Sequence, residues 1–389
     1  MSNRILCATP SLTMRTLRQM EALAGLGHKI DLAYCGIGEN VARSDWKRPF
    51  KKVTMVPKTG SRLEHFSYLS PKKFLSFFQA QNGKGYDLVH ACSNFDTLAI
   101  AAEQSMKAPV VFDVRDMASL FSPRSHGKNY IPRPILNIGP LGDALSNNFY
   151  NRIRRNERVA MEGADGVIYT SDYMKRVVDT EYSYDIKRSL VFYNYLPREY
   201  LPKARLERHS AGDGKLHLAY EGVLSTEGYR DLLPNLLRFL GDGTVMHVFG
   251  TGTPEAVKEY TALSRRRKNF RYEGFFEPGK LIEELSRCDV GIFPFHKSVD
   301  GRHVDSAFPN KVFDYLGAGL PIASTPAYSM VHFLKHEKVG RILDVEKLGP
   351  GQVKKALETM AEITFDRERF VMEGQIGRLE KMYSDVLRD

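Results

Sequence analysis

The segment 305–326, DSAFPNKVFDYLGAGLPIASTP, gathers residue types suited to holding a nucleoside diphosphate. A polar loop reaches Pro309, and Val312, Phe313, Leu316 and Ala318 then recur at helical spacing. Gly317, Gly319 and Pro321 close the helix, and an apolar run follows through Ile322 and Ala323. The pattern predicts loop, short helix, tight turn and strand. Proline suits a first helical turn, where its missing N–H costs nothing. Free backbone N–H groups there attract anions, Asn310 lies among them, and Lys311 adds a positive charge beside them. Asp314, one turn on, has the acceptor atoms for a diol such as ribose. The same residues also suit an ordinary helix start with a surface lysine.

A second set lies in the first half. His90 and Asp113 each stand at or near the end of an apolar, strand-like run, DLVHACS and PVVFDVRD, and Asp116 follows closely. Ligands of open parallel sheets sit outside the carboxyl ends of the strands. An imidazole or carboxylate there can deprotonate an acceptor hydroxyl if its proton affinity and reach are suitable. A buried hydrogen-bonded His90 and an Asp113–Arg115 ion pair are the structural alternatives.

The elements that must position these groups are read from periodicity. RILCA, KIDLAYC, DLVHACS, PVVFDVRD and GVIYTSD read as strands, separated by helical segments such as MRTLRQMEALAGLG, DTLAIAAEQSMK and NRIRRNERVAMEGA. After the polar break KARLERHSAGDGK the alternation restarts with LHLAYEG, VMHVFG, FRYEGF, DVGIFPF and PIAST. Strands alternating with helices argue a parallel sheet covered on both faces. The expected fold is therefore α/β, with two doubly wound Rossmann-like domains in series facing a cleft. The expected spans are 1–200, 201–365, and a C-terminal helix 366–389 crossing back to the first domain.

At 389 residues each domain is long enough to bury its own core. A 42% hydrophobic and 26% charged composition is that of a globular protein without a membrane span. The opening MSNRILCATPSL reads as a first strand rather than a secretory leader. Cys7, Cys35, Cys92 and Cys288 are scattered with no Cys-x-x-Cys, so reduced thiols in a cytoplasmic protein are expected. The net charge of +10 is uneven. Residues 1–165 hold 23 Lys and Arg against 14 Asp and Glu, while residues 166–389 hold 33 against 32. The basic half suits an acidic partner. Its clusters include Lys47, Arg48, Lys51, Lys52, Lys58 and Arg62, and also Arg152, Arg154, Arg155 and Arg158. SPKKFLSFFQAQ, with Lys72, Lys73, Phe74, Phe77 and Phe78, reads as a helix for an anionic membrane surface. No recognition-helix or RNA-binding motif accompanies the charge, so nucleic acid is not the expected partner.

PNKVFDYLGAGLPIAST resembles the donor-binding helix of glycosyltransferase family 4, whose members have the GT-B fold. Pro309, Lys311, Asp314, Tyr315, Gly319 and Pro321 match a P-x-K-x-x-E-Y-x-x-x-G-x-P-V pattern, with Asp at 314 where the family usually has Glu. The family's earlier acid falls on Ser306, and Asp305 is one residue out of register. ALAGLGHKIDLAY, YDLVHACS, FDVRDM, ERVAMEGADGVIYTSDYM and FRYEGFFEPGKLIEELSRCDVGIFPF resemble further family segments in the same order. The resemblance implies a metal-independent, hexosyltransferase-like enzyme without a cofactor. It would move a sugar from a sugar nucleotide to a glycan or lipid-linked acceptor, in surface polysaccharide biosynthesis at the inner face of the cell membrane. It implies donor contacts at Gly222, Arg230, Gly250, Phe275, Asp305, Asn310, Lys311 and Asp314, and catalytic roles at His90, Asp113 and Asp116. The sequence departs in two places. Pro10–Arg15 replaces a Gly-Gly loop, with Arg15 or Thr13 as substitutes, and Glu227 stands where a phosphate-binding Lys is expected. A sugar-nucleotide epimerase of the same fold, a nucleic-acid-modifying or binding protein, and a non-catalytic homologue are the competing readings.

Overall fold

A computed structural model describes residues 2–38, 41, 45–56, 72–93, 96–123, 125, 131, 133–204, 206–226, 232–295 and 301–388. The chain divides into two compact units, Met1–Tyr193 with Gln375–Asp389, and Asn194–Gly374. The polar break and tail pattern place the expected boundaries at 200/201 and 365/366. The stretch near 194–200 groups with the second unit because Leu196 bridges Val371 and accepts from the Met372 amide.

In the first unit the elements run β1 (Arg4–Thr9), α1 (Met14–Gly25), β2 (Lys29–Tyr34), β3 (Phe50–Met55), α2 (Lys72–Gln81) and β4 (Leu88–Ser93). They continue through α3 (Asp96–Ser105), β5 (Val110–Val114), α4 (Arg133–Leu136), α5 (Gly139–Gly163), β6 (Gly166–Tyr169), α6 (Asp172–Arg176) and β7 (Ser189–Val191). The seven strands form one sheet in the order β3-β2-β1-β4-β5-β6-β7, every pair parallel. Strand β4 is buried along its whole length, as expected of a strand covered on both faces. Strand β3 lacked a sequence signal because it is an edge strand with exposed Lys51 and Lys52, charges that blunt an open edge. Helix α1 follows its pattern, burying Leu17, Met20 and Leu23. Helix α5 begins twelve residues before the segment read from its arginines.

Helix α2 departs from expectation. Phe74 and Phe78 are buried and Phe77 is half-buried, so its aromatic face packs inward and not toward a lipid surface. Lys58 and Arg62 of the basic cluster before it lie outside the described residues. No helix among the described residues is long and apolar enough to cross a membrane.

The second unit contains α7 (His209–Asp213), β8 (Leu216–Glu221), α8 (Leu233–Arg238), β9 (Thr244–Phe249), α9 (Pro254–Arg266), β10 (Phe270–Gly274) and α10 (Pro278–Leu285). There follow β11 (Val290–Phe293), α11 (Gly301–Ser306), α12 (Lys311–Gly317), β12 (Ile322–Ser324), α13 (Tyr328–Glu337), β13 (Gly340–Ile342) and α14 (Pro350–Ala361). Its sheet has the order β10-β9-β8-β11-β12-β13, again parallel. Leu218, Tyr220, Val248, Phe270 and Ile292 lie in its core. The last helix, α15 (Met372–Val386), returns its residues from Gln375 to the first unit, where Leu379 and Tyr383 are fully buried.

Both sheets reverse direction of winding beside their first strand, between β1 and β4 and between β8 and β11. Such switch points open a crevice at the carboxyl ends of the strands. His90 and Asp113 lie at the first of these places, and Gly222 and Lys311 at the second.

Candidate functional site

In the second unit the strand ends are built from main chain. Gly222 follows β8 with φ +151°, Gly250 follows β9 with φ +131°, and Gly274 ends β10 with φ +83°. These are backbone conformations that L side chains rarely adopt. The Gly222 amide donates to Phe249 O at 3.0 Å and the Gly250 amide to Gly274 O at 2.7 Å. A Cβ on Gly250 would lie 2.0 Å from Gly222 O. A Cβ on Gly222 would lie 2.5 Å from the Lys311 Nζ, so glycine at 222 leaves the space that the ammonium uses.

Lys311 opens α12 and lies over the Tyr220 ring, 4.3 Å from its centroid. Tyr315, one turn later, is fully buried, accepts from the Glu221 amide at 2.9 Å and donates to Ile292 O at 3.1 Å. It therefore ties α12 to both strands flanking the switch point. Asn194 Nδ2 donates to Phe308 O at 2.7 Å and steadies the approach to the helix. Burial pushes the Lys311 ammonium down to about 8, against the opposing pull of Glu221 and Asp314. A lysine so poised gains from an incoming anion.

The other expected donor residues fall as follows. Asn310 immediately precedes α12 and is part-exposed. Asp314 is only 4% exposed, so a ribose would meet little of its carboxylate. Asp305 takes a different role from the one expected. Its Oδ1 accepts from the Tyr328 amide at 2.8 Å and its carbonyl accepts from Ser329 Oγ at 2.6 Å, which caps α13. Phe275 is 36% exposed just past β10. Arg230 and Glu227 lie outside the described residues. Pro309 stands before the helix, and α12 spans only seven residues. The dipole of so short a helix contributes little, and the anion argument rests on the Lys311 charge.

In the first unit the switch point holds a buried charged network. Arg15 Nη2 lies 2.9 Å from Asp113 Oδ1, and its Nε donates to Oδ2 at 3.3 Å. His90 Nε2 lies 3.6 Å from the same carboxylate, while His90 Nδ1 is bonded to Tyr383 Oη at 2.7 Å. Arg115 donates to Thr9 Oγ1 and to Ser11 O, both at 2.5 Å, and its Nε donates to Cys92 Sγ at 3.3 Å. The Arg115 guanidinium thus shapes the turn after β1, in the segment expected to stand in for a Gly-Gly loop. Arg15, considered as a substitute ligand, is committed to Asp113 and is 5% exposed.

Asp113 and His90 have no exposed surface, and the ion-pair partner of Asp113 is Arg15 rather than Arg115. Burial would raise the Asp113 carboxyl, but Arg15 and His90 outweigh it and hold the group well below the usual carboxylate range. A carboxylate of such low proton affinity is a poor base. Burial disfavours charged His90, yet the neighbouring Asp113 carboxylate and Cys92 thiol win and raise the ring to about 9. Asp116, two residues past β5, is exposed. His90, Cys92 and Asp113 bring donor atoms within 4.8 Å of one another, a spacing that suits a metal ion. The guanidinium groups of Arg15 and Arg115 already supply the positive charge there, which disfavours a further cation.

Residues 13–199 match the family model described as Glycosyltransferase Family 4. Among solved structures, the chain is similar to Anabaena Alr3699/HepE in complex with UDP, at 13% identity and a TM-score of 0.59, covering 99% of this chain and 97% of that one. It is similar to the lipopolysaccharide outer core galactosyltransferase WaaB in its apo form, at 13% identity and a TM-score of 0.60, with 98% and 99% covered. It is also similar to the sucrose-phosphate synthase of Thermosynechococcus elongatus, at 12% identity and a TM-score of 0.61, with 99% and 95% covered. A comparison with curated protein sequences gives no match.

Proposed function

We propose that this glycosyltransferase family 4-like chain of GT-B fold moves a sugar from a nucleoside-diphosphate sugar to a glycan or glycolipid acceptor. One observation carries the reading. Lys311, desolvated and held over Tyr220, lies against a glycine-built strand end at the switch point of the second unit. The diphosphate would sit on Lys311 and the backbone around Gly222 and Gly250. As the bond between the sugar and its phosphate oxygen breaks, charge grows on the leaving diphosphate. A cation already in place stabilises it with no reorganisation, the main electrostatic task of such a transfer. The UDP bound in a structure of similar fold supports a nucleoside diphosphate as donor.

The acceptor belongs to the first unit in this reading, and a role in surface polysaccharide synthesis follows from the acceptor class. Asp116, exposed beyond β5, is the carboxylate available to meet an acceptor hydroxyl. Asp113 and His90 act as positioning residues that fix β4, β5 and the start of α1. A thermal-shift panel of sugar nucleotides tests the proposal, since a ligand of the native state raises its apparent stability. Stabilisation by at least one nucleoside diphosphate and its sugar conjugate is expected, and it should vanish in Lys311→Ala. A flat response across the panel would overturn it.

A further inference from the structure

Nine large apolar side chains stand exposed among the described residues, and four of them are in one stretch of the first unit: Ile135 at 37%, Ile138 at 54%, Leu141 at 49% and Val159 at 44%. The stretch comprises α4, the turn after it and α5. Helix α5 buries Gly142, Ser146, Ile153, Glu157, Ala160 and Met161 on its inner side. Leu141, Asn148, Arg152, Arg155 and Val159 follow one another at intervals of seven, four, three and four residues, which places them on one face of a helix. All five are exposed. Arg154 and Arg158 lie off this face and are occupied, the first over the Tyr182 ring and the second with Glu162. Arg152 and Arg155 make no hydrogen bond or ion pair among the described residues. Glu162, seven residues after Arg155 on the same face, is taken up by Arg158.

A row of about 27 Å, from 18 residues at 1.5 Å each, therefore presents apolar side chains at its start and end with two uncommitted guanidiniums between them. We propose that this face of α4 and α5 docks on an anionic lipid surface, with Ile138 and Leu141 entering the interface and Arg152 and Arg155 on lipid phosphates. Charge decides the occupant, because a protein partner would need no pairing of apolar tips with planar phosphate-binding forks. Guanidiniums suit bidentate phosphate contact, and apolar flanks distinguish a bilayer from a soluble polyanion. The proposal deepens the glycolipid-acceptor reading and rests on it only for the use of a membrane. It also moves the lipid-facing surface from α2, whose aromatics are inside, to α5.

Co-sedimentation of the full chain with vesicles tests it without any sugar donor. Wild type should bind phosphatidylglycerol-containing vesicles and not pure phosphatidylcholine, more weakly as salt rises. Each arginine near an anionic surface is worth about fivefold, so Arg152→Glu with Arg155→Glu should lower binding by roughly thirtyfold or more. Ile138→Ser with Leu141→Ser should abolish the fraction that survives high salt. Exposed sites tolerate such changes, and an unaltered circular dichroism spectrum and urea midpoint in both variants would certify the fold. Wild-type binding by either variant would overturn the assignment. So would equal binding to neutral vesicles, no binding to any, or retention on DNA in place of vesicles. Loss of nucleotide binding in wild type would instead count against the sugar-transfer reading alone.

Discussion

Lys311 should take up a proton when it binds a diphosphate. In the free protein burial holds its ammonium down to about 8 from the ordinary 10.5. A diphosphate beside it favours the charged form and returns the value toward 10.5. Binding then draws about half a proton at pH 8 and nearly a whole one at pH 9. Apparent affinity should fall about twofold by pH 8 and roughly tenfold by pH 9, relative to its plateau near pH 7. The diphosphate's own ionisation, near 6, is complete over this range. Calorimetry of a nucleoside diphosphate in buffers of different ionisation enthalpy reads the proton count directly. Lys311→Ala should lose a charge-assisted contact, about 1.5–3 kcal/mol or some ten- to 150-fold in affinity, and its pH profile should be flat. Lys311→Arg keeps a charge that does not titrate, so it should also be flat while retaining measurable binding. Equal heats in all buffers at pH 8 and 9, with affinity unchanged in Lys311→Ala, would refute the reasoning.

Asp113→Asn leaves two buried cationic groups without their counter-charge and should cost about 3–5 kcal/mol in urea unfolding, with nucleotide affinity retained. Full stability with lost turnover would return Asp113 to a catalytic role. Because His90 is raised from 6.5 to about 9 in the fold, its stabilisation is complete below about pH 6.5 and lost as pH rises through 9. His90→Gln should flatten the decline in urea midpoint between those values, and an unchanged slope would assign it elsewhere. Gly222→Ala should weaken nucleotide binding at least tenfold and cost about 1–3 kcal/mol, since φ +151° is strained for alanine and the methyl meets Lys311. Tyr315→Phe, which frees the Glu221 amide and Ile292 carbonyl, should cost about 1–3 kcal/mol by thermal melting, and no cost would show the hydroxyl to be idle.

Much of the fold was legible because parallel strands and amphipathic helices repeat over short windows. Ile5–Ala8, Leu88–Ser93 and Leu216–Glu221 announce themselves by apolar run and flanking turn. Strand β3 did not, since an edge strand carrying Lys51 and Lys52 mixes charge into its pattern. Lys311 was legible through Pro309, Tyr315 and Gly319 near it in sequence. The Asp113 network was not, because Arg15 is 98 residues from Asp113 and Tyr383 is 293 residues from His90. No local spacing encodes such pairs. Phe74 and Phe78 misled for a related reason: an apolar helix face looks the same whether it meets a bilayer or a core.

The bond between His90 and Tyr383 has a consequence for how the chain is made. The first unit takes residues 1–193 and then waits for those from Gln375 onward. A ribosome adding roughly 5–20 residues per second needs some 10–40 s to cover the intervening stretch. Throughout that interval the nascent first unit lacks Leu379 and Tyr383 from its interior, and the second unit completes its own chain before the first can be sealed. Synthesis order therefore reverses maturation order. A stop codon removing only the last helix would thus strike the oldest part of the polypeptide.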